Sequence, residues 1–212
     1  MNIYEGPNEV ADADAIRAVL ERRGIEDLVH FTRMRNIPSI LKNGIRPQVN
    51  PKTGKRYELD VLDVDRFDGR LHHVSLTITM PNKPLFYRHR CNSEGLWAVV
   101  VIDPLILTEV PALFFPYNAA AKTYRGINID DPMWCSADAL ERMFVSENGR
   151  SKSNPQYVWK DQAEIQVLGP VQPQWIRVVA TGNDVPVAEK VKLASIPRTY
   201  PDVRVETRQK YY

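Results

Sequence analysis

Residues 29–47, VHFTRMRNIPSILKNGIRP, predict a strand that ends in a polar pair and turns into a short helix. His30 and Thr32 lie two residues apart, so their side chains share one face of an extended strand. The apolar residues that follow recur at helical spacing, and Asn43-Gly44 is typical of a helix C-terminus. Such a pair at a strand end fits a ligand-binding site, and it also fits a hydrogen-bonded pair at the edge of a sheet.

Length, composition and cysteine content predict one soluble domain spanning residues 1–212. The chain is long enough for a full hydrophobic core, and 43% hydrophobic with 25% charged residues is ordinary for a globular protein. The longest apolar run, 96–107, is interrupted by Asp103-Pro104, so we expect no membrane partner. Because the N-terminus lacks a secretion signal and Cys91 and Cys135 are widely spaced, we expect a protein of the reducing cytoplasm.

Periodicity along the chain predicts an α+β fold with antiparallel sheets. Residues 11–23 are amphipathic and end at Gly24, which indicates a helix. Segment 46–70 is long, polar and turn-rich, and such segments in compact domains are more often functional than idle. Besides the strand at 28–32, apolar runs predict strands at 73–79, 95–103, 164–171, 176–181 and 202–212. Several short strands with few helices favour antiparallel pairing over a doubly wound fold.

The charge pattern gives a weak indication of nucleic-acid binding. A net charge of +2 provides no bulk electrostatic attraction for a phosphate backbone, although basic residues gather in segments 52–70, 83–90 and 150–160. The second segment places aromatic residues beside cations, the mixture that base stacking with phosphate contact requires. Solvated surface loops and a hydrophobic corner with solvated arginines explain the same pattern.

Common nucleotide, metal and hydrolase motifs are absent from the sequence. It contains neither a G-x-G-x-x-G nor a G-x-x-x-x-G-K-[ST] loop, so any bound nucleotide must be held in another way. An H-E-x-x-H helix, a cysteine pair and a G-x-S-x-G turn are also missing. We therefore expect no metal cofactor and no serine hydrolase.

Glu164 and Arg66 are the candidate charged groups of a cleft. Glu164 opens an apolar strand whose Ile165 and Val167 face the other way, which suits a polar cleft. Arg66 lies among turn residues just before another strand. A surface glutamate near a strand end, and a salt bridge from Arg66 to a neighbouring aspartate, explain the same positions without any function.

Taken in order, these segments resemble the DarT family of NAD-dependent nucleic-acid ADP-ribosyltransferase toxins, from about Leu28 to Tyr212. The family pattern is His-x-Thr, an N-x-x-x-I-L-x-x-G helix, an arginine before the central strand, Asn-Ala, and Gln-Ala-Glu before an apolar strand. The residues that match it are His30, Thr32, Asn36, Ile40, Leu41, Gly44, Arg66, Asn118, Ala119, Gln162, Ala163 and Glu164. The resemblance implies an ADP-ribosyltransferase-like fold in which two small antiparallel sheets form an NAD cleft, with peripheral helices.

The resemblance also implies roles for individual residues. The strand His30-Phe31-Thr32 is expected to hold the nicotinamide end of NAD, and Ser39 and Pro47 fall where the remaining NAD contacts lie. Glu164 is expected to hold the nicotinamide ribose, to stabilise the oxocarbenium-like transition state and to accept a proton from the acceptor base. Arg66, or Arg70 as the alternative, matches the essential arginine that bridges NAD and the acceptor.

The expected acceptor is a base of single-stranded DNA, with RNA left open, because base-pairing atoms are hidden in a duplex. The low net charge favours a footprint of a few nucleotides. The candidate nucleic-acid contacts are Arg70, His73, Lys83, Tyr87, Arg88, Arg90, Asn118 and Lys152. A cognate antitoxin and a role in phage defence follow from the resemblance.

Two other classes of function stay open at the level of sequence. One is an ADP-ribosyltransferase that modifies a protein or a small molecule. The other is a catalytically silent module that binds nucleic acid or NAD, although the joint presence of His30, Arg66 and Glu164 argues against it.

Overall fold

The structure, a computed structural model, describes residue 10, residues 12–58 and residues 68–212. The strands of the described residues are β1 (Leu28–Arg33), β2 (His73–Ile78), β3 (Trp97–Ile102), β4 (Ala112–Phe115), β5 (Glu164–Leu168), β6 (Ile176–Thr181) and β7 (Arg204–Thr207). Their α-helices are α1 (Ala13–Arg23), α2 (Ile37–Asn43), α3 (Lys83–Asn92), α4 (Pro132–Cys135), α5 (Ala137–Arg142), α6 (Val187–Ala194) and α7 (Ile196–Thr199).

The strands of the described residues form one seven-stranded sheet in the order β4-β5-β2-β1-β3-β6-β7. Neighbouring strands are antiparallel except for β6 and β7, which are parallel. The prediction of two small antiparallel sheets is therefore wrong. The reason is the pairing of β1 with β2 at Leu28↔Ile78 and Val29↔Thr77, which joins the two groups of strands into a single mixed sheet.

The junction between β1 and β2 is short, and it positions the site described below. Beyond Val29, β1 continues in register with β3 as far as Arg33, while β2 continues with β5. The pairing between β1 and β2 therefore ends at Val29, just before the polar pair His30 and Thr32. At this point Nδ1 of His30 lies 3.0 Å from the carbonyl oxygen of Ser75.

The alternation of strand residues separates the main core from a polar face. Apolar side chains of β2, β4 and β5 pack with α1 and α5 on one face of the sheet. They include Val74, Leu76, Ile78, Phe114, Ile165 and Val167, together with Ile16, Val19, Leu20, Ala139 and Leu140. Because successive side chains point to opposite faces, Glu164, Gln166 and Ser75 are directed away from this core.

Local capping explains which predicted helices have the expected ends. Helix α1 begins where the Asp12 carboxylate accepts a hydrogen bond from the Ala15 N–H, and it ends at Gly24 with φ of 63°. The predicted helix at 35–43 is a 3-10 turn over Met34–Asn36 followed by α2. Helix α3 was not predicted, although Asn82 caps it by accepting from the Leu85 N–H.

Candidate active site

The strand register gathers the polar residues of the site on the face opposite the main core. In the β4–β5 ladder Phe115 is the partner of Glu164, and in the β2–β5 ladder Ser75 is the partner of Gln166. Directly opposed residues of antiparallel strands place their side chains on the same face, so Phe115, Ser75, Glu164 and Gln166 share that face. Glu164 itself is half-buried at the first position of β5.

Two donors hold the carboxylate of Glu164. The backbone N–H of Ala119 donates to Oε2 at 3.1 Å, and the side-chain amide of Gln166 donates to Oε1 at 3.0 Å. Each oxygen thus accepts one hydrogen bond from the part of the chain that the structure describes, and a carboxylate has about four acceptor positions in all. Glu164 is consequently fixed in orientation but retains acceptor capacity on both oxygens.

Arg70 supports the backbone that holds Glu164. Its guanidinium donates to the carbonyl oxygens of Ala119 at 3.4 Å and Tyr124 at 2.6 Å, and it lies over the Phe115 ring at 4.8 Å. Its side chain is 8% exposed, and Nη1 is 3.9 Å from Oδ2 of Asp68. Burial in the same cluster raises the pKa of the Tyr124 phenol. This placement favours a structural role for Arg70 over contact with nucleic acid or NAD, while Arg66 lies outside the described residues.

The predicted NAD-binding strand lies at the junction where β1 and β2 separate. The carbonyl oxygen of Ser75 can only accept a hydrogen bond, so Nδ1 of His30 is the donor in this contact. Thr32 is 4% exposed and accepts from the Asn36 amide at 3.1 Å. Phe31 is stacked on Phe86 with ring centroids 4.8 Å apart. His30, Phe31 and Thr32 are thus each oriented by a contact with another residue of the protein.

The other two predicted NAD contacts lie on and after α2. Ser39 is exposed, and its hydroxyl accepts from the Asn43 amide at 3.4 Å. Pro47 is buried beyond the helix. Neither position tests the predicted NAD contacts, which stay predictions.

A cavity of about 320 Å³ opens beside the start of β5. Its lining residues are Thr77, Ile78, Met80, Pro81, Lys83, Lys152, Tyr157, Val158, Asp161 and Ala163. Two predicted nucleic-acid contacts, Lys83 and Lys152, thus meet at one cavity, and Lys152 pairs with Asp161 at 2.9 Å. Ala163, which directly precedes β5 along the chain, is also part of this lining.

A strained turn forms one wall of this cavity. Thr79, directly after β2, has φ of 60°, which is rare for a β-branched residue. Its N–H donates to the Asp27 carbonyl at 2.8 Å, and its hydroxyl donates to the Gln156 carbonyl at 3.3 Å. Backbone strain of this kind persists only where surrounding contacts hold it, and it is concentrated at functional sites.

The remaining predicted nucleic-acid contacts are spread over different environments. Tyr87 is 69% exposed and Arg88 is also exposed, so both lie on the free surface of α3. Arg90 instead donates to the Tyr212 carbonyl at 2.9 Å, and His73 is 2% exposed. Asn118 accepts from the Ala120 N–H at 2.8 Å. The placements of Arg90 and His73 favour structural roles, and none of these positions tests DNA contact.

Gln166, Asp68 and Tyr157 belong to the site but were not predicted to. Gln166 was recognisable in principle, because it lies two residues after Glu164 and so shares its face of β5. Asp68 was considered only as a salt-bridge partner of Arg66, and Tyr157 lies in a loop that no periodicity singles out. Their roles depend on contacts between distant segments.

Within the described ranges, the structure contains neither a metal-type cluster nor a membrane-type helix. No three histidine, cysteine, aspartate or glutamate side chains there come together as a metal site requires. No helix in those ranges has the length and apolarity that crossing a bilayer demands.

Comparison with protein families gives one match over most of the chain. A family model described as DarT, ssDNA thymidine ADP-ribosyltransferase, matches residues 29–212. No curated protein matches the chain.

Solved structures with the same fold include those of DarT proteins from two organisms. Thermus sp. 2.9 DarT in complex with NAD+ is 14% identical with a TM-score of 0.57, covering 88% of this chain and 97% of that one. Its complex with ADP-ribosylated ssDNA gives a TM-score of 0.59 at 14% identity, covering 89% and 97%. Thermosipho africanus DarTG in complex with ADP-ribose is 20% identical with a TM-score of 0.57, covering 88% of this chain but only 50% of that one.

Proposed function

Because the chain belongs to the DarT family of ssDNA thymidine ADP-ribosyltransferases, we propose that it transfers ADP-ribose from NAD to a thymine base of single-stranded DNA. The observation that carries this proposal is the Glu164 carboxylate, which the Ala119 N–H and the Gln166 amide orient at the first position of β5. The Thermus relatives that contain NAD+ and ADP-ribosylated ssDNA support both the donor and the acceptor.

The nicotinamide end of NAD is placed by this proposal at the β1–β2 junction. Strand β1 leaves the β2 ladder after Val29, so its backbone groups on that edge are positioned to pair with a carboxamide. The contact between Nδ1 of His30 and the Ser75 carbonyl orients the ring at this junction, and we assign to His30 a hydrogen bond with a ribose hydroxyl. The junction thus places a backbone edge and an oriented histidine side by side.

Glu164 then acts on the nicotinamide ribose. Cleavage of the bond between nicotinamide and C1 of the ribose builds positive charge on the sugar, and a fixed carboxylate stabilises that charge. The acceptor positions left on its two oxygens allow it to hold a ribose hydroxyl at the same time. We assign to it also the removal of the proton from the attacking base nitrogen.

The acceptor strand is assigned to the cavity lined by Lys83, Lys152 and Tyr157 and to the exposed surface of α3. Lys83 and Lys152 supply positive charge for phosphates, and Tyr157 supplies a ring for stacking. A base must be unstacked to reach Glu164, which favours a single strand over a duplex. We further propose a neutralising protein partner, since an enzyme that modifies its host's own DNA has to be restrained.

The experiment that tests this function compares Glu164→Gln with wild type, using NAD and a thymine-containing DNA oligonucleotide. We expect the transfer rate to fall about 100-fold or more because the charge-stabilising oxygen is lost, while NAD binding changes by only about threefold. Intact-mass spectrometry measures the adduct, and calorimetry measures NAD binding.

A matched control is Glu109→Gln, which changes an exposed glutamate and should leave the transfer rate unchanged. If Glu164→Gln kept most of the wild-type rate, Glu164 would not be the catalytic carboxylate. An adduct on protein in place of DNA would indicate the alternative class of acceptor.

A further inference from the structure

Glu164 belongs to a closed ring of contacts that joins β5 to Asp68, Arg70 and Ala119, which are distant along the chain. Arg70 donates to the Ala119 carbonyl, and the N–H of Ala119 donates to Glu164. The Gln166 amide bridges Glu164 at 3.0 Å and Oδ2 of Asp68 at 2.5 Å. The same Asp68 oxygen lies 3.9 Å from Arg70, which closes the ring.

Gln166 is the member of this ring whose chemistry is hardest to replace. Its side chain is fully buried, at 0% exposure, and its two amide hydrogens point to two different carboxylates. Only the NH2 end of the amide can face two carboxylate oxygens, so its orientation is determined by its partners.

The orientation of the Gln166 amide also determines the surroundings of its carbonyl oxygen. Within the described residues, its Oε1 is buried and accepts no hydrogen bond. A buried unsatisfied carbonyl is unfavourable, and such groups are rare in native proteins. The amide is thus oriented so that it donates to both carboxylates, while its own oxygen accepts no hydrogen bond from the described residues.

We propose that Gln166 is a positioning residue that holds the catalytic Glu164 in its reacting orientation, with Asp68 and Arg70 fixing Gln166 in turn. This inference rests on the proposed function of Glu164. Without the amide, the Ala119 N–H is the one donor to Glu164 left among the described residues, and the carboxylate can rotate about its last side-chain bond. A displacement of about 1 Å at a reacting group lowers the rate by about 100-fold.

Gln166→Glu is the most informative substitution, because it keeps the size but removes both donors and adds a third carboxylate beside Glu164 and Asp68. We expect kcat to fall about 100-fold while KM for NAD changes by less than about threefold. Like charges favour the protonated form of a carboxylate. Among the described residues, Arg70 is a charged member of the same ring, with Nη1 3.9 Å from Oδ2 of Asp68. The acidic limb of the pH–rate profile should therefore move to higher pH.

Gln166→Met serves as the uncharged counterpart. It removes the donors without adding charge, so we expect a similar loss in kcat with the acidic limb unmoved. Asp68→Asn tests the next contact of the ring, and a smaller loss in kcat is expected because Gln166 keeps its bond to Glu164.

Release of nicotinamide from NAD is measured together with the DNA adduct, so that a failure of the proposed function can be distinguished from a failure of the role assigned to Gln166. If wild type releases no nicotinamide and forms no adduct, the proposed function is wrong and this inference falls with it. If wild type is active and the Gln166 variants match its kcat, Gln166 does not position Glu164. A loss confined to thermal stability or to KM, with an unmoved pH profile in Gln166→Glu, also contradicts the proposal.

Discussion

Several side chains at the site contact backbone groups, and this affects how each one can act. Glu164 is oriented by the Ala119 N–H, His30 by the Ser75 carbonyl, and Arg70 by two carbonyls of the segment after β4. A group held by backbone loses little conformational freedom when a ligand arrives, which is the physical meaning of preorganisation.

His30 gives a prediction at this scale. His30→Ala removes the proposed hydrogen-bond partner of the nicotinamide ribose, so we expect KM for NAD to rise about tenfold with a smaller change in kcat. Steady-state kinetics with varied NAD measures both values. Thr32→Val is the matched comparison on the same face of β1, because Thr32 is buried and accepts from Asn36.

Thr32→Val should reduce thermal stability more than NAD affinity, since the loss falls on a contact within the protein. Equal effects of the two substitutions on KM would contradict a specific role for His30.

Sequence pattern identified several residues of the site but missed the contacts between them. Glu164 opens a strand and His30 belongs to a polar pair with Thr32, and local patterns single out both residues. The contact of Gln166 with Asp68 joins residues that are 98 positions apart, and no local pattern contains it.

Secondary-structure elements were predictable from sequence wherever a local cap marked their ends. Asp12 and Gly24 delimit α1, and both signals are contained in the chain around it. Helix α3 carries the same kind of signal, Asn82 with Pro84 in the first turn, but its mixture of aromatics and cations suggested a binding loop instead.

Gly44 gives the prediction for this scale. It ends α2 with φ of 79°, and a Cβ there would lie 2.2 Å from the Val171 carbonyl oxygen. Gly44→Ala therefore combines backbone strain with a collision against backbone, and we expect the free energy of unfolding to fall by about 3 kcal/mol or more. Urea unfolding monitored by circular dichroism measures this change.

Gly24→Ala provides the matched control, since Gly24 also has a left-handed conformation, with φ of 63°, but nothing lies within 4 Å of the added atom. We expect this control to cost only about 1–2 kcal/mol. Losses of the same size in both variants would show that the approach of Val171 to Gly44 is not tight.

At the scale of the whole molecule, one short junction sets the architecture. Two residue pairs between β1 and β2 join the strands into a single sheet and then let them separate at His30. The sequence indicated the strands but not this pairing, because register between strands about 50 residues apart depends on tertiary packing. The pairing of β1 with β2 thus produces both the single sheet that covers the main core and the edge of β1 that is proposed to bind NAD.

Charge over the whole chain agrees with a short DNA footprint. The net charge of +2 provides little attraction for a long phosphate backbone, whereas Lys83 and Lys152 bring two cations to one cavity. We therefore expect recognition of a few nucleotides around the modified base.

The most direct test of the central claim is intact-mass spectrometry of matched oligonucleotides after incubation with the wild-type protein and NAD. The set comprises single-stranded DNA with one thymine, the same strand with cytosine in its place, its RNA counterpart and its duplex. We predict one ADP-ribose on the thymine-containing single strand and none on the cytosine strand or the duplex. Modification of the cytosine strand or of the RNA alone, or no adduct on any member while NAD is bound, would contradict the account.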